Sequence, residues 1–404
     1  MKIATEVVDD MKWSTAISRE TPLESAIHAV SQQVLADLGG PPDLIFVFAS
    51  DHHRSGFDSL PARLRLHLGS GMLLGCSASG VIGNREEVEF RPSISLTAAR
   101  LPDVSLDAWH IEAKDLGPDT AHSRKCAELA QQLSQKPAQF IILADPFTFP
   151  PEQLLRSLEA GFPTAVIAGG LASGTQGPGE TALFLNETTR RTGALILSLG
   201  GNLEMTTAVA QGCRPVGEPM FITQIDGGTI LELDGRPPLQ ILNELYAHSS
   251  ERDRTLMQHS LFLGVAMRPG DSRHNQGDFL IRNLVGADQE SGAIGVAAEL
   301  HANQVVQFHL RDARTSSDDL DMVLKRTRDR FGERMPAGAL LFSCTGRGKG
   351  LYGQSDHDSE AFQRLLGTIP LGGFFCNGEI GPVEGKAFLH GYTSSFALFR
   401  ARHT

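Results

Sequence analysis

Apolar and polar positions along the chain follow a recurring order, in which an amphipathic helix is followed by a short apolar strand. The first helix begins at a capping box over residues 21–24, has Pro22 in its first turn and ends at Gly39. Its apolar residues recur at helical spacing, which indicates one face buried against a sheet. The pattern then predicts a strand over 43–50, a helix near 58–68, a strand that enters a glycine-rich run at 74–80, and strands over 93–99 and 106–111.

The same order recurs twice, and a weaker version lies between the second and third copies. A glycine-rich run follows the second strand of each clear copy, and hairpins after the run predict mixed sheets. The second copy has helices near 119–135 and 151–160 and strands over 139–145, 164–168, 181–185 and 193–199. The third copy has a strand over 338–344, a helix over 357–366, a glycine-rich run at 370–381 and strands within 387–400. The weaker copy has strands over 261–267, 278–284, 293–300 and 305–310, before a helix that starts at 316–319.

These repeats predict an α/β (α+β) fold in which helices cover mixed β-sheets, arranged as α-β-β-α layers. Turn residues concentrate over 212–217, and we expect the chain to divide into two halves there. The predicted domains are residues 1–216 and 217–404, each built from internally repeated helix–strand units.

Composition narrows the class of protein. The chain has 404 residues, of which 41% are hydrophobic and 21% charged, as in a folded protein of two or three domains. Its net charge of −11 argues against binding to nucleic acid or to an anionic membrane, since both need a basic surface. No apolar run approaches the roughly 18–20 residues of a membrane helix, so we expect no membrane insertion.

Five widely separated cysteines form no CxxC pair, which argues against a disulfide framework or a zinc knuckle. The N-terminus also lacks the apolar core of a signal peptide. We therefore expect a cytoplasmic protein without a cofactor.

The glycine-rich runs can serve a ligand or only close packing, because glycine exposes backbone N–H groups and permits tight turns. For the middle run, 169–174, packing is the favoured role. The last run favours ligand binding, because three polar or reactive side chains lie within four positions. The candidates in the first run are Gly75, Cys76, Ser77 and Ser79, and those in the last are Cys376, Asn377 and Glu379.

A basic loop follows the apolar strand over 338–344. In it, Arg347 has the planar guanidinium that holds a carboxylate through two hydrogen bonds, and Lys349 adds a point charge after Gly348. The loop is not a phosphate-binding P-loop, because GxxxxGK[ST] is absent. A mobile surface loop with solvated charges is the equally weighted alternative.

Two strand ends in the weaker copy add polar side chains. Alternation along a strand places every second residue on one face, and three polar residues share such a face here. They either meet solvent or line a pocket that receives an anion. The residues are Arg282 and Asn283 at one strand end and Gln307, His309, Arg311 and Asp312 at the other.

Two further features suggest catalytic or metal chemistry. Cys344 lies at a strand end and suggests a thiol nucleophile with His357 or His390 as base, although cysteine is more often a small buried residue. The tripeptide over 51–53, Asp-His-His, is similar to that of phosphoesterases. The other aspartates of a phosphoesterase metal site are not recognisable, so an exposed loop is favoured there.

Several of these motifs together resemble the FIST family, which pairs N- and C-terminal sensory domains. The resemblance covers residues from about 20 to 400, and it is denser in the C-terminal half. It is carried by 74–83, 210–217, 279–283, 307–312 and 388–393, and most specifically by Cys-Thr-Gly-Arg-Gly at 344–348 and Cys-Asn-Gly-Glu-Ile-Gly at 376–381.

The resemblance implies a sensor of small ligands, with amino acids as the proposed class. Such domains are often joined to a histidine kinase, a chemoreceptor or a cyclic-dinucleotide enzyme, or to an F-box. No output domain is recognisable in this sequence. We therefore predict a free-standing sensor that signals through a separate partner protein.

A zwitterionic ligand needs a cation for its carboxylate and an acceptor for its ammonium. The carboxylate candidates are Arg282, Arg311 and Arg347, and the ammonium candidates are Asp312 and Glu379. The resemblance implies no established catalytic residues, so we predict no enzymatic activity. Two alternatives stay open: an enzyme that uses Cys344 or Cys376, and a scaffold that binds another protein through apolar surface.

Overall fold

A computed structural model describes residues 11–117, 139–268 and 277–402. The chain forms two compact units, called unit 1 and unit 2 below. Unit 2 comprises 210–322 and 390–393, and unit 1 comprises the rest. The first unit boundary, at 209/210, lies close to the turn-rich segment. The division into domains 1–216 and 217–404 concerns sequence halves and stays a prediction.

Three six-stranded sheets build unit 1, with strands numbered in chain order. The first has the order β1-β6-β2-β3-β10-β11, and its strands are β1 Lys12–Ser18, β2 Leu44–Ser50, β3 Met72–Ala78, β6 Ile94–Arg100, β10 Leu183–Leu185 and β11 Thr188–Arg190. The second has the order β23-β22-β9-β8-β12-β7, with β7 Val104–Ile111, β8 Gln139–Ala144, β9 Val166–Leu171, β12 Ala194–Gly201, β22 Glu379–Val383 and β23 Lys386–His390. The third has the order β13-β24-β20-β21-β4-β5, with β4 Gly80–Gly83, β5 Glu86–Glu89, β13 Glu204–Ala210, β20 Gly338–Cys344, β21 Leu371–Cys376 and β24 Ser394–Arg400.

Each sheet is centred on a parallel pair with an antiparallel strand beside it, namely β2/β3 with β6, β8/β9 with β12, and β20/β21 with β24. The hairpin that follows each parallel pair joins a different sheet. Strands β4–β5 add to β21, β10–β11 add to β3, and β22–β23 add to β9. Three repeats are thus closed into a cycle by exchange of hairpins.

The inner faces of the three sheets share one core. Apolar side chains from all three form a single cluster, and Phe48 of the first sheet stacks on Phe374 of the third at 4.6 Å. The mixed sheets and covering helices of the predicted α+β fold are confirmed. The arrangement differs from the predicted α-β-β-α layers, because three sheets surround one core.

Helices cover the outer faces of these sheets. Helices α1 Leu23–Leu38 and α2 Leu60–Leu68 pack on the first sheet, and α4 Pro151–Gly161 packs on the second. Helix α9 His357–Leu366 lies on the third, where Phe362 stacks on Phe396 at 5.6 Å. Unit 1 also holds the short helices α3 Ala113–Leu116 and α8 Gly348–Tyr352 and a 3-10 helix over Asp51–Gly56. The helix predicted near 119–135 lies outside the described residues.

One glycine recurs at the same place in each repeat. A Cβ at Gly75, Gly169 or Gly373 would collide with a carbonyl of the neighbouring parallel strand. Close strand packing therefore requires glycine there, as predicted for the middle run.

Unit 2 is a closed barrel with the order β14-β15-β18-β17-β16-β19. Its strands are β14 Cys213–Asp226, β15 Thr229–Leu233, β16 Leu261–Ala266, β17 Phe279–Ala287, β18 Ile294–Val296 and β19 Val305–Arg311, with α5 Pro238–His248 and α6 Glu251–His259 between β15 and β16. All neighbouring strands pair antiparallel around a separate core. The predicted strands are confirmed. The prediction that they form a fourth helix–strand copy is wrong, because antiparallel pairing closes the strands into a barrel. Helix α7 Ala313–Phe331 follows, and the boundary between units falls within it.

Candidate functional site

The residues predicted to bind a ligand fall into the two units. Unit 2 holds Arg282, Asn283, His309, Arg311 and Asp312. Unit 1 holds the others, which are Gly75, Cys76, Ser77, Ser79, Cys344, Arg347, Gly348, Cys376, Asn377 and Glu379.

Strand register places Asn283 and His309 on the outer face of the barrel, and alternation along β19 places Arg311 on the same face as His309. Phe262 of β16 pairs with Asn283 on one side and with His309 on the other. The alternate residues Leu263 and Phe308 belong to the barrel core, so this row faces outward. The prediction that Gln307, His309 and Arg311 share one strand face agrees with this alternation.

A tyrosine completes this group, called the tyrosine cluster, which consists of Phe262, Asn283, His309, Arg311 and Tyr392. The Tyr392 ring lies 4.4 Å from the Phe262 ring, and its hydroxyl donates a hydrogen bond to Asn283 Oδ1. The Arg311 guanidinium carbon lies 4.9 Å from the centre of the Tyr392 ring. Tyr392 was absent from the predicted site, although it lies in the family-like segment 388–393.

The tyrosine cluster contains a cation and a neutral acceptor, both buried. Arg311 is 7% exposed and His309 is 1% exposed. Burial lowers the pKa of His309 to about 4, although its hydrogen bond with the Gln307 carbonyl, at 3.0 Å, opposes the shift. His309 is therefore neutral at pH 7. Because the carbonyl requires a proton on Nδ1, Nε2 is left as an acceptor.

Two predicted residues of unit 2 lie outside this cluster. Arg282 is next to Asn283 on β17 and so points to the opposite face. Asp312 accepts hydrogen bonds from Thr315, at 2.9 Å from N and 3.1 Å from Oγ1, and lies 2.9 Å from Arg252. Burial opposes ionisation of Asp312, but these partners outweigh burial and lower its pKa. Its oxygens are thus engaged at the start of α7.

In unit 1, Arg347 is 1% exposed and is bound to a carboxylate of the same chain. Its Nε lies 2.8 Å from Asp358 Oδ2 and its Nη2 lies 3.1 Å from Oδ1. Arg347 also donates to the Tyr352 hydroxyl, and Asp358 accepts from Ser394. Arg347 does bind a carboxylate through two hydrogen bonds, as predicted, but the carboxylate is that of Asp358 and not that of a ligand. The alternative of a solvated surface loop is wrong for Arg347, because the guanidinium is buried.

Asp358 and Glu87 have shifted pKa values, in opposite directions. Burial alone would raise the pKa of Asp358, but the charge of Arg347 and a hydrogen bond from His357 outweigh it and hold that pKa well below its usual range. Glu87 of β5 is also buried, and its Oε1 accepts from the Ser359 N–H at 2.7 Å. Burial, and then the charge of Asp358, raise the pKa of Glu87 to about 8.

The adjoining residues of the basic loop contact the same hairpin. Gly348 has a φ of 62°, and a Cβ there would collide with the Glu89 carboxylate. The Lys349 N–H donates to Glu89 Oε1 at 2.8 Å. Asp358, Glu87 and Glu89 were not among the predicted site residues, because no sequence motif marks them.

The candidate thiols are buried. Cys344 and Cys376 are neighbours across the parallel pair β20/β21. Burial raises the pKa of Cys376 well above its usual range, with Glu379 adding to the shift, and burial does the same for Cys76. Protonated thiols are poor nucleophiles, which argues against Cys376 as a catalytic residue.

The remaining candidates connect the repeats of unit 1. Ser77 Oγ accepts from the Ala182 N–H at 3.2 Å, and the Ser79 N–H donates to Ser173 Oγ at 2.9 Å. Asn377 is exposed, whereas Glu379 is fully buried. A ligand-binding role for these residues stays a prediction.

Neither a metal site nor a membrane span is found in the part of the chain that the structure describes. Across 11–117, 139–268 and 277–402, no three His, Cys, Asp or Glu side chains lie close enough to hold a metal ion. No helix in those ranges combines the length and the apolar character needed to cross a membrane.

Two family models match the chain, the FIST N domain over residues 43–236 and the FIST C domain over 238–382. An uncharacterized protein of Mycobacterium tuberculosis (strain ATCC 25618 / H37Rv) is 35% identical over 382 residues, which cover 94% of this chain and 96% of that protein. F-box only protein 22 of Homo sapiens is 25% identical over 124 residues, 27% of this chain and 31% of that protein. A crystal structure of cyanuric acid hydrolase from A. caulinodans covers 97% of this chain and 100% of its own at 9% identity, but a TM-score of 0.35 is too low to support an argument.

The tuberculosis relative matches along nearly its whole length, and the two family models adjoin each other on the chain. The chain therefore belongs to the FIST family, whose N and C domains are sensory domains.

Proposed function

We propose that this protein senses a small carboxylate, with amino acids as the leading class, at the tyrosine cluster of unit 2. The observation that carries the proposal is the buried Arg311 guanidinium on the Tyr392 ring beside the neutral His309. It passes the signal through a separate partner protein, such as a histidine kinase or a cyclic-dinucleotide enzyme.

Arg311 supplies the group for the ligand carboxylate. Its planar fork matches a carboxylate geometrically, and a buried site strengthens the interaction because the local dielectric is low. Tyr392 has a φ of 68°, a conformation that costs a bulky residue about 1–3 kcal/mol and that clusters at ligand clamps. This strain supports a functional role for the ring.

His309 distinguishes an amino acid from other carboxylates. Its neutral Nε2 accepts a hydrogen bond from a ligand ammonium, whereas a hydroxy acid or keto acid presents a weaker donor or none. We therefore expect an α-amino acid to bind more tightly than the hydroxy acid or keto acid of the same side chain.

Thermal shift against the amino acids and their hydroxy and keto analogues tests the proposal. A ligand at 100 times its Kd stabilises a protein by about 2.7 kcal/mol, enough to detect in a melt. We expect the shift to disappear in Arg311→Met and to weaken in Arg311→Lys, since lysine lacks the two-point fork. The matched control is Arg314→Ala, because Arg314 is exposed and lies 3.8 Å from Asp318 in a weak pair.

A shift that persists in folded Arg311→Met would refute the site, and no shift from any compound would refute the ligand class. Arg347→Ala is a poor test, because it would leave Asp358 buried without its cation.

The partner is tested by co-purification with a candidate kinase or cyclic-dinucleotide enzyme. We expect capture to depend on the amino acid that gives the thermal shift and to fail in Arg311→Met. Capture that is equal with and without that amino acid would favour the scaffold alternative.

A further inference from the structure

A cavity of about 370 Å³ lies beside β1 in unit 1, and none of its lining residues belongs to the tyrosine cluster. Its lining comes from β1, α1, the turn between β4 and β5, α9 and the segment that follows α9. The lining residues include Trp13, Asp37, Arg85, Thr368, Ile369 and Pro370. The volume lies in the range of sites that enclose small organic molecules.

The cavity wall contains a buried donor without an acceptor. Trp13 is 7% exposed, and its Nε1 has no hydrogen-bond partner among the described residues. The ring is fixed, because it stacks on Phe399 at 4.7 Å and because a Cβ at Gly338 would collide with it. An N–H buried without an acceptor is unfavourable, and a ligand oxygen that accepts its hydrogen bond removes that cost.

The rim contains a cation that no described residue balances. Arg85 is exposed and forms no hydrogen bond or ion pair within the described ranges. On the other side, Asp37 is already engaged by Ser14 Oγ at 2.7 Å and by Gln33 Nε2 at 2.9 Å. An anionic ligand therefore places its charge at Arg85 and not near Asp37.

Beyond the rim, the buried Ile369 and the half-buried Pro370 supply apolar surface. We propose that this cavity binds a small monocarboxylate with an apolar body. Its carboxylate binds Arg85, its body packs on Ile369, Pro370 and the edge of Trp13, and one oxygen reaches the indole N–H. The inference is independent of the proposed sensor site.

The fluorescence of Trp13 can report binding at the cavity. The chain has two tryptophans, Trp13 and Trp109, so the other one must be removed. In Trp109→Phe, emission comes from Trp13 alone. We expect 3-phenylpropionate to change this emission saturably. Its uncharged amide should bind at least tenfold more weakly, because it has no charge to pair with Arg85.

Arg85→Ala tests the carboxylate contact and should weaken 3-phenylpropionate at least tenfold. Arg91→Ala is the matched control, because Arg91 is another exposed arginine of the same region whose side chain has no partner within the described ranges. Thr368→Phe fills the cavity and should abolish binding. Arg311→Met should bind 3-phenylpropionate normally, which separates this site from the sensor site.

Calorimetry on the same variants with both tryptophans retained gives a second measurement, should Trp109→Phe fold poorly. The proposal is overturned by the absence of saturable binding, by equal affinity for the acid and the amide, or by unchanged affinity in Arg85→Ala or in Thr368→Phe.

Discussion

Arg347 in unit 1 and Arg311 in unit 2 are both buried, and both lie in segments from which a carboxylate-binding role was predicted. Their surroundings differ. The guanidinium of Arg347 is gripped at two points by Asp358, whereas that of Arg311 lies on the face of Tyr392. The Arg347 guanidinium is paired with an anion of the chain, and the Arg311 guanidinium is in cation–π contact with an aromatic ring.

The difference shows that an arginine motif does not reveal its role until its partner is known. Asp358 lies in the first turn of α9, eleven residues after Arg347, and nothing in the loop sequence points to it. A buried ion pair is costly to break, because the partner that remains is a charge out of water. We therefore expect Arg347 to act on stability and Arg311 to act on binding.

The largest expected effect comes from breaking the Arg347–Asp358 pair. Asp358→Asn leaves the buried guanidinium without its anion, and we expect the free energy of unfolding to fall by about 3–5 kcal/mol in urea titrations. The double variant Arg347→Met with Asp358→Leu removes both charges and should recover most of this loss. A loss below about 1 kcal/mol in Asp358→Asn would show that the pair is not structural.

The buried Glu87 beside the Arg347–Asp358 pair should make the stability of unit 1 depend on pH. Its pKa is about 8 in the folded chain against 4.5 for an ordinary glutamate. Between these values the unfolded chain has lost a proton that the folded chain keeps, so stability falls as pH rises, by about 1.4 kcal/mol per pH unit. Glu87→Gln should remove this slope in urea titrations from pH 5 to 8, whereas Glu86→Gln, at an exposed neighbour, should keep it.

For His309 we expect stability to change with pH in the opposite direction, over a narrower range of pH. Its pKa is about 4 in the folded chain against 6.5 unfolded. The unfolded chain then holds the extra proton, so stability rises with pH between these values, at the same rate per unit. Hydrogen exchange read separately for 210–322 should lose this slope in His309→Gln. An unchanged slope would mean that His309 is not buried as a neutral base.

The smallest effect is expected for Tyr392→Phe, which keeps the ring under Arg311 and removes the hydrogen bond to Asn283. We expect a loss of about 1 kcal/mol in stability and less than tenfold in amino-acid affinity. If this variant lost binding as completely as Arg311→Met, the hydroxyl and not the guanidinium would be the main contact.

Local elements could be predicted because hydrophobic period is a local property of the sequence. The helix at 357–366 and the strand at 338–344 match their predicted bounds. Strand pairing could not be predicted, because an alternating strand has the same pattern whichever neighbour it finds. For this reason the hairpin exchange and the closed barrel of unit 2 were not foreseen.

The site was predictable to the same extent. Alternation along β19 placed His309 and Arg311 on one face, which is a local property. Tyr392 lies more than eighty residues further along the chain, and only the fold brings its ring to Arg311. The pairing of Arg347 with Asp358 is likewise a property of the tertiary structure.

The cyclic exchange of hairpins has a consequence for biosynthesis. Strands β4 and β5 leave the ribosome about 280 residues before β21, the strand with which they pair. At about 5–20 residues per second, translation holds this hairpin without its partner for roughly 15 to 55 s. During that interval β4 has an unpaired edge, so the nascent chain exposes a site for chaperone binding or wrong strand pairing until β21 is synthesised.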